Sequence, residues 1–227
     1  MQPSLIKAKV IFTAMPAETE LCPLCYSESK FFHHSRGKDY YRCAHCSGVF
    51  MSAKCFLSAE AEKARYETHN NDVDDQGYQN FVRPLAEAVF RDFPKGSHGL
   101  DFGAGTGPVL SKMLLDAGYE MTLYDPFFYP NEKALNRQYD FIVSCEVIEH
   151  FQHPAREFAL LRSLLKSEGK LYCKTDPLFD EIDFEKWYYK NDPTHVFFYN
   201  DACCRYIKSQ FEFNQYARNG RVLHFAS

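Results

Sequence analysis

Over residues 97–227, short apolar runs alternate with amphipathic stretches, the pattern of strands laid between helices. Gly99-Leu100-Asp101-Phe102 reads as a strand and Val109–Ala117 as a helix ended by Gly118. Glu120–Tyr124 reads as a second strand, closed by Asp125-Pro126. Asn131–Gln138 is too short for a helix plus a strand, so the next crossover is expected to be abbreviated. Tyr139–Cys145 reads as a buried strand. Ala155–Lys166 places Phe158, Leu161, Leu164 and Leu165 on one helical face, with an end near Gly169. Lys170–Thr175 is expected to be a strand and Asn200–Gln210 a helix. Glu212–Arg218 and Arg221–Ala226 flank Asn219-Gly220, a hairpin signal. The pattern predicts an α/β fold whose mainly parallel sheet ends in an antiparallel hairpin.

Upstream the pattern changes. Residues 56–96 read as a helical linker or lid: a helix over Ser58–Tyr66, a polar loop from His69 to Gly77, and a helix over Gln79–Phe93. In that second helix Phe81, Val82, Leu85, Val89 and Phe90 share a face, Pro84 fits near the first turn, and Pro94 and Gly96 end the segment. The loop Asn70–Gln76 with Tyr78 reads as a lid or as a solvated connector. Residues 1–55 show little helical periodicity. The expected units are therefore 1–55, 56–96 and 97–227.

Composition sharpens this in three places. The 227 residues suit one medium domain with a small appendage, and 15 Tyr and 21 Phe suggest that some rings line a pocket. A net charge of −4 argues against a phosphate-gripping surface. No apolar run approaches the roughly 18 residues of a membrane span, and residues 1–14 lack the apolar core of a signal peptide. A cytoplasmic location is expected, and the nine cysteines then read as reduced thiols and metal ligands.

Cys22-Pro23-Leu24-Cys25 and Cys43-Ala44-His45-Cys46 are two Cys-x-x-Cys knuckles, at the spacing of a four-cysteine zinc site. Each two-residue gap lets both thiolates reach one ion at about 2.3 Å, and four thiolates close a structural tetrahedron. Lys30–Arg42 between them reads as strand–turn–strand around Gly37. The other reading of each knuckle is a redox dithiol. His45 and Cys55 are spare donors; Cys145, Cys173, Cys203 and Cys204 fit buried strand or helix positions.

Asp101-Phe102-Gly103-Ala104-Gly105-Thr106-Gly107 follows a strand and opens a helix. Glycines there allow a tight turn and close approach of a ligand. The spacing is Gly-x-Gly-x-Gly rather than the dinucleotide fingerprint. Asp125 follows at the end of the second strand, where a carboxylate can accept ribose hydroxyls. LDFGAGTG, TLYDP, YDFIVSCEVIEHF and GKLYCKT together resemble motifs I, II, IV and V of the class I S-adenosylmethionine (SAM)-dependent methyltransferases, over roughly Gly77–Ser227. The resemblance is to their small-molecule group, which includes ubiquinone-biosynthesis O-methyltransferases, and it implies a Rossmann-like sheet. It also implies that Gly103 and Gly105 contact the methionine part of SAM and that Asp125 holds its ribose, with Asp101, Ala104, Thr106, Gly107 and Pro126 also expected at the cofactor. Cys145 and Glu146 would border SAM and the acceptor.

Methyl transfer is an SN2 step that needs alignment within about 3–3.5 Å and a base for any proton on the nucleophile. His195 is the first candidate base, since sugar C-methyltransferases with an N-terminal zinc domain show a similar His before an aromatic pair; a purely packing role is the alternative. Glu146 is the second catalytic candidate. Glu146, Glu149 and His150, at spacings of three and four, together with His195, form a candidate site for a divalent ion such as magnesium. The expected acceptor is a small molecule, a sugar or an aromatic metabolite, with a homodimer left open. The alternatives are an RNA methyltransferase, which the acidity disfavours, and a SAM-binding regulatory module without catalysis.

Overall fold

The computed structural model describes residues 16–68 and 72–227. Residues 1–15, which include the 1–14 stretch not expected to be a signal peptide, and His69, Asn70 and Asn71 of the expected linker or lid lie outside the described residues.

Four strands come first: β1 (Thr19–Leu21), β2 (Glu28–Ser35), β3 (Lys38–Cys43) and β4 (Val49–Met51), each antiparallel to the next. The β2–β3 hairpin turns on Arg36 and Gly37, both at positive φ (50° and 75°). That is the two-residue turn whose twist suits a hairpin, and glycine accepts it without Cβ strain.

Two helices follow. α1 (Ala59–Glu67) is capped by Ser58, whose hydroxyl accepts from the Ala61 amide. α2 (Gln76–Asp92) is capped by Asp75, which accepts from the Tyr78 amide at 2.6 Å. The Asp75 cap starts α2 three residues before the expected Gln79. Pro84 therefore sits in the helix interior rather than the first turn, and both Pro84 and Asn80, whose carbonyl loses its partner, are exposed to water.

The chain continues through β5 (His98–Phe102), α3 (Val109–Asp116), β6 (Glu120–Tyr124), β7 (Tyr139–Cys145), α4 (Pro154–Ser163), β8 (Leu165–Lys174), a short β9 (Phe197–Phe198), α5 (Asp201–Gln210), β10 (Gln215–Asn219) and β11 (Val222–Ala226). The main sheet has the order β10-β11-β8-β7-β5-β6. β8, β7, β5 and β6 are parallel, β11 runs antiparallel to β8, and β10 runs antiparallel to β11. The abbreviated crossover before β7 is a single 3-10 turn, Glu132–Asn136. β8 begins earlier than the expected Lys170, because Leu165 pairs with Tyr139 ahead of an irregularity in the ladder.

Both faces of the sheet are covered. Val82, Leu85 and Val89 of α2 and Leu110 and Leu114 of α3 pack on Phe141, Val143 and Tyr172. Phe158, Leu161 and Ile207 pack on the other face against Leu100, Ile142 and Leu171. Each such side chain contributes about 1.5–3 kcal/mol by leaving water. The same apolar cluster runs on into Cys22, Leu24, Tyr41, Cys46 and Phe50 of the N-terminal unit. β9 does not join the main sheet. It pairs antiparallel with β4, so the five-stranded N-terminal sheet, order β1-β2-β3-β4-β9, borrows its last strand from the C-terminal half. No helix among the described residues is long and apolar enough to cross a membrane.

Candidate functional site

A cavity of about 870 Å³ opens at the carboxyl ends of β5, β6 and β7, where open parallel sheets bind ligands. Its floor is the turn from β5 into α3. Gly103 (φ 85°) and Gly105 (φ 63°) take the left-handed conformation that favours glycine. A Cβ on Gly103 would lie 2.5 Å from a Val147 methyl, so this turn is also pressed against the loop after β7. Around Gly105 there is open space.

Asp125 ties this turn to the end of β6. Its Oδ2 accepts from the Gly105 amide at 3.0 Å, and its Oδ1 from the Phe127 and Phe128 amides at 2.8 and 3.0 Å. The carboxylate is thus fixed by three backbone donors, with room for roughly one more hydrogen bond of the four that its lone pairs allow. Asp101 is buried and accepts from the Ser111 hydroxyl at 2.7 Å. Burial raises its pKa to about 6. Thr106, Gly107, Ala104, Pro126 and Cys145 also line the cavity, so every residue expected at the cofactor comes to one place. Tyr78 and Phe81 of α2 form part of its wall.

The far end of the cavity is built by α1, the loop after β7 and the segment before β9: Glu62, Tyr66, Gln152, His150 and His195 face it. The His195 ring is held twice by Tyr189, whose carbonyl accepts from Nδ1 at 2.7 Å and whose ring centroid lies 4.2 Å away. Asp192 shapes the turn before it, accepting from the Thr194 amide and hydroxyl at 3.0 and 2.6 Å and from Arg65 at 2.6 Å. Burial, then the neighbouring His150, pushes the His195 pKa down to about 3. The imidazole is neutral at physiological pH. The His150 ring lies 4.8 Å from that of His195, and its Nδ1 donates to the Thr194 carbonyl.

Glu149 lies behind these histidines and is fully buried. It accepts from the Tyr189 hydroxyl, and its Oε2 has no partner. Burial, then the Glu146 charge, raises its pKa. The ligand atoms of Glu149, His150 and His195 lie within 4.8 Å of one another. Glu146 is not in that group. At φ 53° it leaves the helical spacing assumed from sequence, and its carboxylate turns to Arg221 (2.8 and 2.9 Å) and Lys174 (3.3 Å). Only Ile148–His150 forms a helical turn there. Tyr189, Arg221, Tyr66 and Glu62 also reach this end of the site and carry no local motif in the sequence.

The four cysteines of the knuckles form a second cluster. Cys22 and Cys46 sulfurs are 3.5 Å apart, and those of Cys25 and Cys43 are 3.3 Å apart. All four lie within 4.8 Å of one another. Sulfurs on a zinc tetrahedron stand about 3.8 Å apart, given Zn–S of about 2.3 Å, so this donor set fits zinc and leaves no open position.

Comparison with known proteins follows the same line. The model of a family described as "Methyltransferase domain" matches residues 75–213. No curated protein matches the chain. Among solved structures, 1,6-didemethyltoxoflavin-N1-methyltransferase from Burkholderia thailandensis, solved with 1,6-didemethyltoxoflavin and S-adenosylhomocysteine, is 13% identical. The match covers 87% of this chain and 98% of that one, with a TM-score of 0.52. An O-methyltransferase family protein from the same organism is 12% identical over 73% of this chain and 61% of its own, also at 0.52. At such identities the likeness is one of fold. With the family model spanning more than half of its length, the chain belongs to the methyltransferase-domain family and is a class I SAM-dependent methyltransferase.

Proposed function

We propose that the chain methylates a small-molecule acceptor seated at the far end of the cavity, between α1 and His195. The observation that carries this reading is the continuity of one cavity, from the glycine turn and Asp125 to His150 and His195. Bound SAM supplies a methyl on a sulfonium. In this reading Asp125 takes a ribose hydroxyl through its remaining capacity, and Asp101 attracts the methionine ammonium. Tyr78 and Phe81 exclude water from the reacting end. His195, with Nδ1–H held by Tyr189, presents Nε2 as the proton acceptor. A pKa near 3 makes it a weak base in the resting site. Glu149 lies within 4.8 Å of it, and burial keeps that carboxyl largely protonated in the resting site.

A second reading is favoured by the unpartnered Oε2 of Glu149: that carboxylate, His150 and His195 hold a divalent ion that activates an acceptor hydroxyl. Two imidazoles and one carboxylate suit manganese, iron, cobalt or zinc better than magnesium, which prefers an all-oxygen shell.

Calorimetry with SAM, followed by turnover of SAM with a small-metabolite fraction and with RNA, tests the main reading. SAM binding with turnover only in the metabolite fraction is expected. Absence of any SAM or S-adenosylhomocysteine binding, or turnover on RNA alone, overturns it. Titration of manganese or cobalt into EDTA-treated protein tests the second. A melting shift lost in Glu149→Gln supports a bound ion, and equal shifts in both proteins remove it.

A further inference from the structure

We propose that the N-terminal ribbon is a positioning element for the acceptor wall: its second cysteine knuckle clamps the strand that follows His195, and so sets where that imidazole points.

The chain from Cys43 to Met51 leads directly from the knuckle into β4. β4 pairs with β9 through Val49↔Phe198 and Phe50↔Phe197. The Met51 amide donates to the Val196 carbonyl at 2.8 Å, one residue after His195. The Val196 amide in turn donates to the Glu149 carbonyl at 2.8 Å. Residues 194–198 are thus stitched to the ribbon on one side and to the candidate site on the other. The knuckle itself touches the far end of this strand. Asn200 donates from Nδ2 to the Ser47 carbonyl at 2.8 Å while its Oδ1 caps α5 by accepting from the Cys203 amide. The Phe197 ring lies so close over Gly48 that a Cβ there would stand 2.4 Å from Cζ. Glycine at 48 therefore lets the ring lie flat on the knuckle, and any side chain would push it away.

The other end of the same segment is held too. The Tyr40 hydroxyl donates to the Lys190 carbonyl at 3.4 Å, and Lys190 Nζ reaches Ser35 at 3.3 Å. Tyr189, which holds the His195 ring, is thereby anchored to β2 and β3. By contrast, the glycine turn, Asp101 and Asp125 are fixed by β5, β6 and α3, with no hydrogen bond to the ribbon among the described residues. The ribbon thus supports the acceptor half of the cavity and leaves the cofactor half to the main sheet. The assignment of the two halves rests on the function proposed above, so the test reads local opening and not turnover.

Two substitutions cut the link without touching a cysteine. Asn200→Asp keeps a capping oxygen for α5 and removes the donor to Ser47. Gly48→Ala displaces the Phe197 ring. In full-length protein, amide hydrogen exchange is followed at 194–198 and at 98–102, zinc per chain is counted, and SAM affinity is measured by calorimetry. Expected for both variants are one zinc per chain, exchange at 194–198 at least tenfold faster, and exchange at 98–102 and the SAM Kd within twofold of the wild type. Unchanged protection at 194–198 overturns the proposal. Parallel loosening of 98–102 with a weaker SAM Kd does so as well, because it marks general destabilisation. A wild-type chain that carries no zinc and protects 194–198 equally well overturns the part assigned to the knuckle.

Discussion

In the function proposed above, Asp125 and Asp101 hold a cationic cofactor in different ways, and their variants should separate. Asp125 also staples the glycine turn to β6, so Asp125→Ala removes both a ligand contact and three backbone acceptances. SAM binding should weaken by roughly 1–3 kcal/mol, read by calorimetry. Asp101 acts through charge. Its pKa of about 6 means that it ionises just below physiological pH. Protonation removes the attraction for an ammonium, so SAM affinity should be flat above pH 7 and fall below pH 6, approaching tenfold per unit. Asp101→Asn should abolish that acid limb. His195→Ala should leave SAM affinity unchanged and slow transfer by about 10²–10⁴-fold; equal rates would remove its role as a base. At this scale the sequence was legible where chemistry is local. The glycines, Asp101, Asp125 and the four cysteines declare themselves by spacing within a few residues. Glu146 did not, because its direction is set by Arg221, a hairpin residue 75 positions away in the chain.

Elements were legible where periodicity is long. β7, α3 and the C-terminal hairpin follow from apolar runs and an Asn-Gly turn. α2 was misjudged at its start because the capping Asp75 sits in a run of acidic and amide residues, any of which could cap. Asp75→Ala should cost about 1 kcal/mol of stability, visible as a lower melting temperature. Tyr78 and Phe81 ride on the first turns of that helix and line the cavity, so the same change should also loosen SAM binding. β9 was invisible: two residues, Phe197 and Phe198, carry no periodicity, and their partner strand lies in another part of the chain. Only the three-dimensional meeting of β4 and β9 joins an expected appendage to the segment that follows His195.

For the whole molecule, the charge census bears on what enters the cavity. Among the described residues lining it are Glu62, Asp101, Asp125, Glu146 and Glu157, and neither lysine nor arginine. Such a lining attracts a sulfonium and repels phosphodiesters. Turnover should therefore favour neutral acceptors over anionic ones, and high salt should weaken SAM binding modestly through screening. With the four cysteines holding zinc as proposed, a chelator should lower the melting temperature of the entire chain in a single transition, since one apolar cluster spans both units.

The borrowed strand also fixes an order of events during synthesis. The sheet begun by residues 19–51 has an unfinished edge until Phe197 and Phe198 leave the ribosome. At 5–20 residues per second that wait lasts roughly 7–30 s. Through that interval β4 is an open strand edge, of the kind that pairs with other chains. Nascent protein should therefore be most prone to self-association after the knuckles have emerged and before the last thirty residues follow.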